Sequence, residues 1–393
     1  MHDLLIHDAR VFPLTDGLKP SAATTVAVDA GRITALGVAP DATARRRIDA
    51  RGRALLPGFI DCHTHAVYAG DRMAEHAQRL AGTDYAAIAQ AGGGIMSTVR
   101  AVRAASQDQL VAESLPRVRA LAAEGVTTLE IKSGYGLTHD DELKLLRAIH
   151  EVGERVPLTV VPTFLGAHTV PAGETRGAYL DGLIERTLPA VAAQGLAAAV
   201  DVYVEHIAFD AADMERLFTA ARALGLRVKV HAEQLSDVGA SERAAAFEPL
   251  SADHLEWLDE DGARALAACG AVAVLLPGAW YCLRDTHKPP VALLRAHGVP
   301  IAVATDLNPG TSPVASLLAA MHLGAHAFGL TADEVLRGVT VNAARALGLA
   351  DRGTIAPGQR ADLCLWDLPA PEFLVYQLGG LRPDVILIEG VEQ

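Results

Sequence analysis

Hydrophobic positions within residues 1–54 fall in short alternating runs, at 4–6, 25–28 and 32–36, and Asp29-Ala30-Gly31 joins the last two. A period of two sets one face of a strand against a core, and an Asp-x-Gly turn between two such runs is a hairpin signal. The other end of the chain has the same character. Its runs at 353–355, 362–367 and 385–388 are broken by Pro357-Gly358 and Gly379-Gly380. The two ends are expected to pair into one small β-sandwich-like domain made of residues 1–54 and 350–393.

Between them the pattern changes. Short β-rich runs at 59–63, 127–131, 158–164, 200–204, 227–231, 251–255, 271–276 and 300–304 alternate with stretches of helical period such as 109–124 and 213–224. Eight strand–helix units predict an α/β fold, a (β/α)8 TIM-type barrel over residues 55–349, since such barrels take roughly 200 to 400 residues. A doubly wound open sheet is the alternative arrangement of the same elements.

Charge narrows the partners. A formal net charge of -13 disfavours nucleic acid and anionic membrane surfaces, and a small anionic substrate would need its own local Arg or Lys. Cys62, Cys269, Cys282 and Cys364 form no C-x-x-C pair, which fits reduced thiols in the cytosol. No signal-peptide pattern opens the sequence. The longest apolar run, 270–283, is cut by Pro277 and is shorter than the roughly 20 residues of a membrane span. A cytoplasmic protein is expected.

The candidate chemistry starts at 55–65, LLPGFIDCHTH. His63 and His65 share the parity of one strand face, and Asp61 shares it behind them, whereas Cys62 has the opposite parity and is expected to be buried packing. Two imidazoles alone are as much at home on a surface as around an ion. The downstream strand ends change this, because barrels of this kind gather their active sites there. Those ends carry Lys132-Ser133-Gly134-Tyr135, His168, Glu205-His206, His231, His254 and Asp306. His63, His65, His231 and Asp306 make three imidazoles and one carboxylate, a set that suits Zn²⁺ and also Fe²⁺ or Mn²⁺. Gly92-Gly93-Gly94 is followed by no Gly-Lys-Ser/Thr and is read as a helix entry or as backbone close to a ligand, not as a phosphate loop. Arg72 is the arginine nearest the histidine pair and the natural clamp for a carboxylate, with Tyr85 adding a hydroxyl.

PGFIDCHTH, the histidines of the fifth and sixth strands, the aspartate of the eighth and the split terminal domain together resemble the amidohydrolase superfamily. HTHAVYAGDRMAEH, AGGGIMSTVRA, EIKSGYGL, HAEQLSDVGA, SADHLE and ATDLNPGTSP narrow the resemblance, over essentially the whole chain, to a branch that opens the lactam ring of an imidazolone bearing a propanoate arm. The resemblance implies one divalent or trivalent metal ion per chain, Zn or Fe, on His63, His65, His231 and Asp306. Some metal hydrolases that this chain resembles bridge two ions with a carbamylated lysine on the fourth strand; Lys132 ends the second, so the resemblance implies a single ion. It implies substrate contacts from Arg72, Tyr135, His168 and Gln234, with Asn308, Gly310 and Thr311 at the other end of the substrate, and a homodimer.

For catalysis, His254 suits polarising the carbonyl or orienting the water, and Asp306 suits taking the water's proton. Gln234 stands in the catalytic position where some members of the superfamily carry Glu, and an amide cannot act as a base. Glu233 is adjacent but is expected to point the other way. Two other readings compete: an aminohydrolase acting on a purine, pyrimidine or triazine ring, and a metal-free scaffold of the same fold. Arg72 and the EIKSGYGL and NPGTSP loops speak against the first, since a neutral base needs no carboxylate clamp, and the retention of all four ligands speaks against the second.

Overall fold

The computed structural model describes residues 1–83 and 93–393. Tyr85 and Gly92 lie outside the described residues. The chain is α/β. Its central strands, in order, are Phe59–Asp61, Val126–Lys132, Thr159–Ala167, Ala199–Val202, a fifth strand interrupted at Lys229 (Arg227–Val228, then Val230–Ala232), Ser251–His254, Val272–Leu275 and Ile301–Val303. Each pairs in parallel with its neighbour in sequence. The interruption at Lys229 divides them into two sheets, and among the described residues no sheet closes on itself. Hydrogen bonds nevertheless cross both junctions. Val204 N donates to His231 O at 3.0 Å, and Asp306 N donates to His63 O at 3.0 Å.

These strands are rich in apolar residues and largely buried, as expected of parallel strands covered by helices. All seven residues of Val126–Lys132 are buried, Glu130 and Lys132 included. The covering helices begin earlier than their hydrophobic period indicates, at Gln107–Ala122 and Ala211–Ala223, because Ser106 and Asp210 cap them in reciprocal capping boxes.

The two ends of the chain pair. Ala54–Pro57 runs antiparallel to Leu363–Trp366, with Leu55 opposite Leu365, in a sheet that also holds Arg10–Val11, Val385–Ile388 and Val391–Glu392. A second sheet contains His2–His7, Val26–Asp29, Arg32–Leu36 and Ala44–Asp49. Leu4, Val26 and Ile33 of the second sheet share a core with Leu55, Leu363 and Leu387 of the first. Residues 353–355 are not a strand. Gly353 takes a φ of 91° against the Thr340 backbone, and Ile355 N bonds to Pro13 O. No helix of the described residues is long and apolar enough to cross a membrane.

Gly58 is the hinge between the terminal sheet and the first central strand. Its N–H bonds to Asp362 O at 2.8 Å, and a Cβ there would stand 2.9 Å from Thr127 Cβ and closer to both γ atoms. Gly58→Ala is expected to cost about 1–3 kcal/mol through this clash, read as a lower urea midpoint with unchanged slope.

Candidate active site

The ends of the first, fifth and eighth strands converge. The ligand-capable nitrogens of His63, His65 and His231 lie within 4.8 Å of one another, and all three side chains are buried. Asp306 Oδ1 is 3.5 Å from His63 Nε2 and 3.4 Å from His65 Nε2. His63 Nε2 and His231 Nε2 are buried with no hydrogen-bond partner. Orphaned imidazole nitrogens at this depth are costly unless a cation takes their lone pairs. Burial holds His63 and His65 well below the usual imidazole range, with the Lys132 charge adding to the effect at His63 and the neighbouring His168 at His65. The rings are therefore neutral and ready to ligate. Burial likewise raises the Asp306 carboxyl well above its ordinary value, against the hydrogen bond from Asn308. The donor set fits a divalent ion of the zinc or iron type.

Carboxylates orient these rings. Asp253 Oδ2 is 2.6 Å from His63 Nδ1, and Asp201 Oδ2 is 3.0 Å from His231 Nδ1, which leaves each Nε2 for the ion. Asp61 plays another part: it accepts from Thr305 N at 3.1 Å and Thr305 Oγ1 at 2.6 Å, pinning the segment just before Asp306. Cys62 is fully buried.

A cavity of about 460 Å³ opens above the cluster. His65, His231, His254 and Asp306 line its floor and wall, and so do Tyr135, His168 and Gln234. His168 stacks on His65 with ring centroids 5.3 Å apart, and burial pushes it down to about 3. Its Nδ1 meets Gly134 O at 3.1 Å. His254 also lines the cavity, with Nδ1 3.9 Å from Glu256 Oε2. Glu233 points away from it, taking the N–H groups of Ala240 and Ser241 and the Ser241 hydroxyl. His206 stands apart as well: it is exposed and held by Glu205 and Ser236.

Arg72 lines the cavity, its Nε and Nη2 both 2.8 Å from Glu75 Oε2, an oxygen that also accepts from Gly94 N. Gly94 is the N-cap of the helix Ile95–Ala104, so the glycine run ends as a helix entry. Asn308 and Thr311 line the cavity too, but Asn308 Oδ1 is occupied by the N–H groups of Gly310, Thr311 and Ser312. Asn308 thus shapes its loop. Gly310 sits under the Arg72 guanidinium, where a Cβ would lie 2.8 Å from Arg72 Cζ and closer still to Nη1.

Sequence reasoning missed Tyr203 and Asp285 in the cavity wall and the buried charges Asp201, Lys229 and Asp253 beneath it, and placed Glu130 at a strand end without a role. The available signal was a charge inside an otherwise apolar strand, as in AVDV, RVKVH and SADH. Lys132 is not free for carbamylation, because its Nζ is paired to Glu130 Oε1 at 2.9 Å and Asp201 Oδ2 at 2.8 Å. Burial alone would lower it, but Asp201 and Glu130 hold it above the usual lysine range, as an ammonium.

Gly310→Ala is expected to expel the Arg72 guanidinium from its seat with the fold intact. A crystal structure of the variant would show it, and an unmoved Arg72 would contradict the packing described.

The chain matches the amidohydrolase family over residues 89–377. It is 57% identical over 353 residues to the imidazolonepropionase of Stenotrophomonas maltophilia, covering 89% of this chain and 87% of that protein. It is 53% identical over 387 residues to the imidazolonepropionase of Xanthomonas axonopodis pv. citri, covering 96% of each. In fold it resembles a zinc-bound adenosine deaminase of Xanthomonas campestris (TM-score 0.74, 19% identity, 100% of this chain and 92% of that one). A triazine hydrolase variant is similarly close (TM-score 0.75, 18% identity, 100% and 94%). The buried imidazoles with their facing aspartate, and relatives matched over nearly the full length, lead to one assignment: the chain belongs to the amidohydrolase family and, within it, to the imidazolonepropionase group.

Proposed function

We propose that this chain hydrolyses 4-imidazolone-5-propanoate to N-formimidoyl-L-glutamate in histidine degradation, with one zinc or iron ion held by His63, His65, His231 and Asp306. The observation that carries this reading is the buried cluster of unpaired imidazole nitrogens facing Asp306 at the floor of a cavity that Arg72 also lines. When bound, such an ion acidifies water and polarises a carbonyl.

The chain's own residues do the rest. Arg72 pairs with the propanoate arm, and Glu75 fixes the guanidinium for it. Tyr135, His168 and Gln234 enclose the ring. Asn308 holds the loop in which Gly310 and Thr311 bound the other end of the site. His254 donates to the lactam oxygen as charge develops there, and Asp306 takes the proton of the attacking water. The carbon–nitrogen bond of the lactam breaks as the carbon–oxygen bond forms, and the leaving nitrogen takes up that proton. Gln234 contributes amide hydrogen bonds and no proton transfer. Tyr85 joins the carboxylate contacts on sequence grounds.

The same reading includes the architecture. The two parallel sheets form one (β/α)8 barrel over residues 55–349, supported by the hydrogen bonds across both junctions. Residues 1–54 and 350–393 form a sandwich-like domain, with 55–57 completing its strand Ala54–Pro57. A homodimer and a cytosolic location complete it, the latter supported by four unpaired thiols.

Metal analysis and substrate absorbance on one sample test the reaction. The expected result is one ion per chain, with loss of the imidazolone absorbance on adding enzyme. An ion without turnover would move the substrate to another cyclic amide or amidine. Arg72→Ala is expected to raise KM by about 10- to 100-fold, the worth of a charge-assisted hydrogen-bond pair, with metal content unchanged. An unaltered KM would remove Arg72 from the carboxylate site.

A further inference from the structure

Beneath the histidine cluster lies a set of charges that the proposed reaction does not use. Lys132 Nζ is 2.9 Å from Glu130 Oε1, 2.8 Å from Asp201 Oδ2 and 3.6 Å from Asp253 Oδ2. Lys229 Nζ is 2.9 Å from the same Glu130 oxygen and 3.8 Å from Asp253 Oδ2, and donates to Cys62 O at 3.0 Å. All five side chains are fully buried.

Asp201 and Asp253 also form, with His231, a second group of donor atoms within 4.8 Å of one another, fit for a cation. It shares His231 with the first group; with His231 Nε2 turned to that group, the two carboxylates are the donors left for a second cation. By ligand chemistry alone the centre has two cation positions, back to back. The ammonium of Lys132 is the cation found against the second one.

We propose that Lys132 is the built-in second cation of this centre: its ammonium takes the position between Asp201 and Asp253 and so limits the chain to one metal ion. The inference rests on the proposed metal set. The charge balance supports it. Two ammoniums face three carboxylates, and removing Lys132 would leave three buried carboxylates against one ammonium, a state that is expensive unless another cation enters. The oxygens are shared as well. Asp201 Oδ2 meets both Lys132 Nζ and His231 Nδ1, and Asp253 Oδ2 meets His63 Nδ1 while facing both ammoniums. Lys132 therefore also fixes the carboxylates that aim two metal ligands, as a positioning residue.

The test compares wild type with Lys132→Ala, whose truncated side chain leaves room for an ion. Both proteins are stripped with chelator, loaded with excess zinc and gel-filtered, and zinc per chain is measured beside a thermal melt with and without zinc. The expected result is one zinc per chain for wild type and one more than that for Lys132→Ala. The variant's melting temperature should be lower than wild type without zinc and gain more from zinc. Wild type taking up two ions overturns the proposal. So does a variant that takes up no more than wild type, or one that excess zinc fails to stabilise. Wild type binding no zinc or iron overturns the metal set itself, a result distinct from a failure at Lys132.

Discussion

Charge without water is the constraint on which this structure depends. Below the cavity, ammonium and carboxylate groups are fully buried, and two of the carboxylates lie against the imidazoles of His63 and His231. Isolated, each ion would cost several kcal/mol to place there. The arrangement is tolerable only because one oxygen of each carboxylate serves two or more partners. Asp253 Oδ2 serves His63 and faces both lysines, and Glu130 Oε1 accepts from Lys132, from Lys229 and from Thr163 Oγ1 at 2.6 Å. Positions shared in this way cannot shift one at a time. That rigidity is what a centre needs if its imidazoles are to face an ion with no adjustment at the moment of binding.

Around the cavity the same economy recurs at the level of loops. Glu142 accepts from the N–H groups of Gly134, Gly136 and Leu137, and so shapes the loop carrying Tyr135. Glu205 takes Leu235 N, Ser236 N and the Ser236 hydroxyl, fixing the chain just after Gln234. Asn308 and Asp61 do the same on either side of Asp306. Each buried acceptor satisfies backbone donors that a loop would otherwise direct to water. The residues facing the cavity are thus held by Glu142, Glu205 and Asp61 from outside it, and by Asn308 from its wall.

This division explains what the sequence let one read. His63, His65, His231, His254 and Asp306 were legible because strand ends in an α/β fold are where polar residues interrupt apolar runs, and period two assigns their face. Strand positions were legible for the same reason, whereas Ala44–Asp49 was not: its Arg45-Arg46-Arg47 run hides the alternation of a sheet surface. The fifth strand's break at Lys229 was invisible too, since RVKVH reads as one strand and only the buried pairing to Glu130 turns the lysine inward. The resemblance implies a substrate contact for Asn308, which does line the cavity. Its carbonyl oxygen is in fact committed to its own loop, a local geometry that residue identity alone does not fix.

Backbone strain at the site follows from the same architecture. Glu233, His254, Leu255 and Asp306 all hold positive φ, at 49°, 82°, 71° and 51°. For residues with side chains such conformations cost of order 1–3 kcal/mol each and persist only where the surroundings over-determine them. Here they do. Asp306 N is tied to His63 O and its carbonyl to Asn308 Nδ2 at 2.7 Å, while Glu233 O accepts from Trp257 N at 2.8 Å. The reversal at Glu233 lets consecutive residues serve different masters, Glu233 capping a helix and Gln234 facing the cavity. At Asp306 it turns a strand-end carboxylate back toward His63 and His65 rather than outward along the strand. The strain, the shared oxygens and the loop clamps are thus one construction, in which the cost of aiming a few side chains is carried by hydrogen bonds set deeper in the fold.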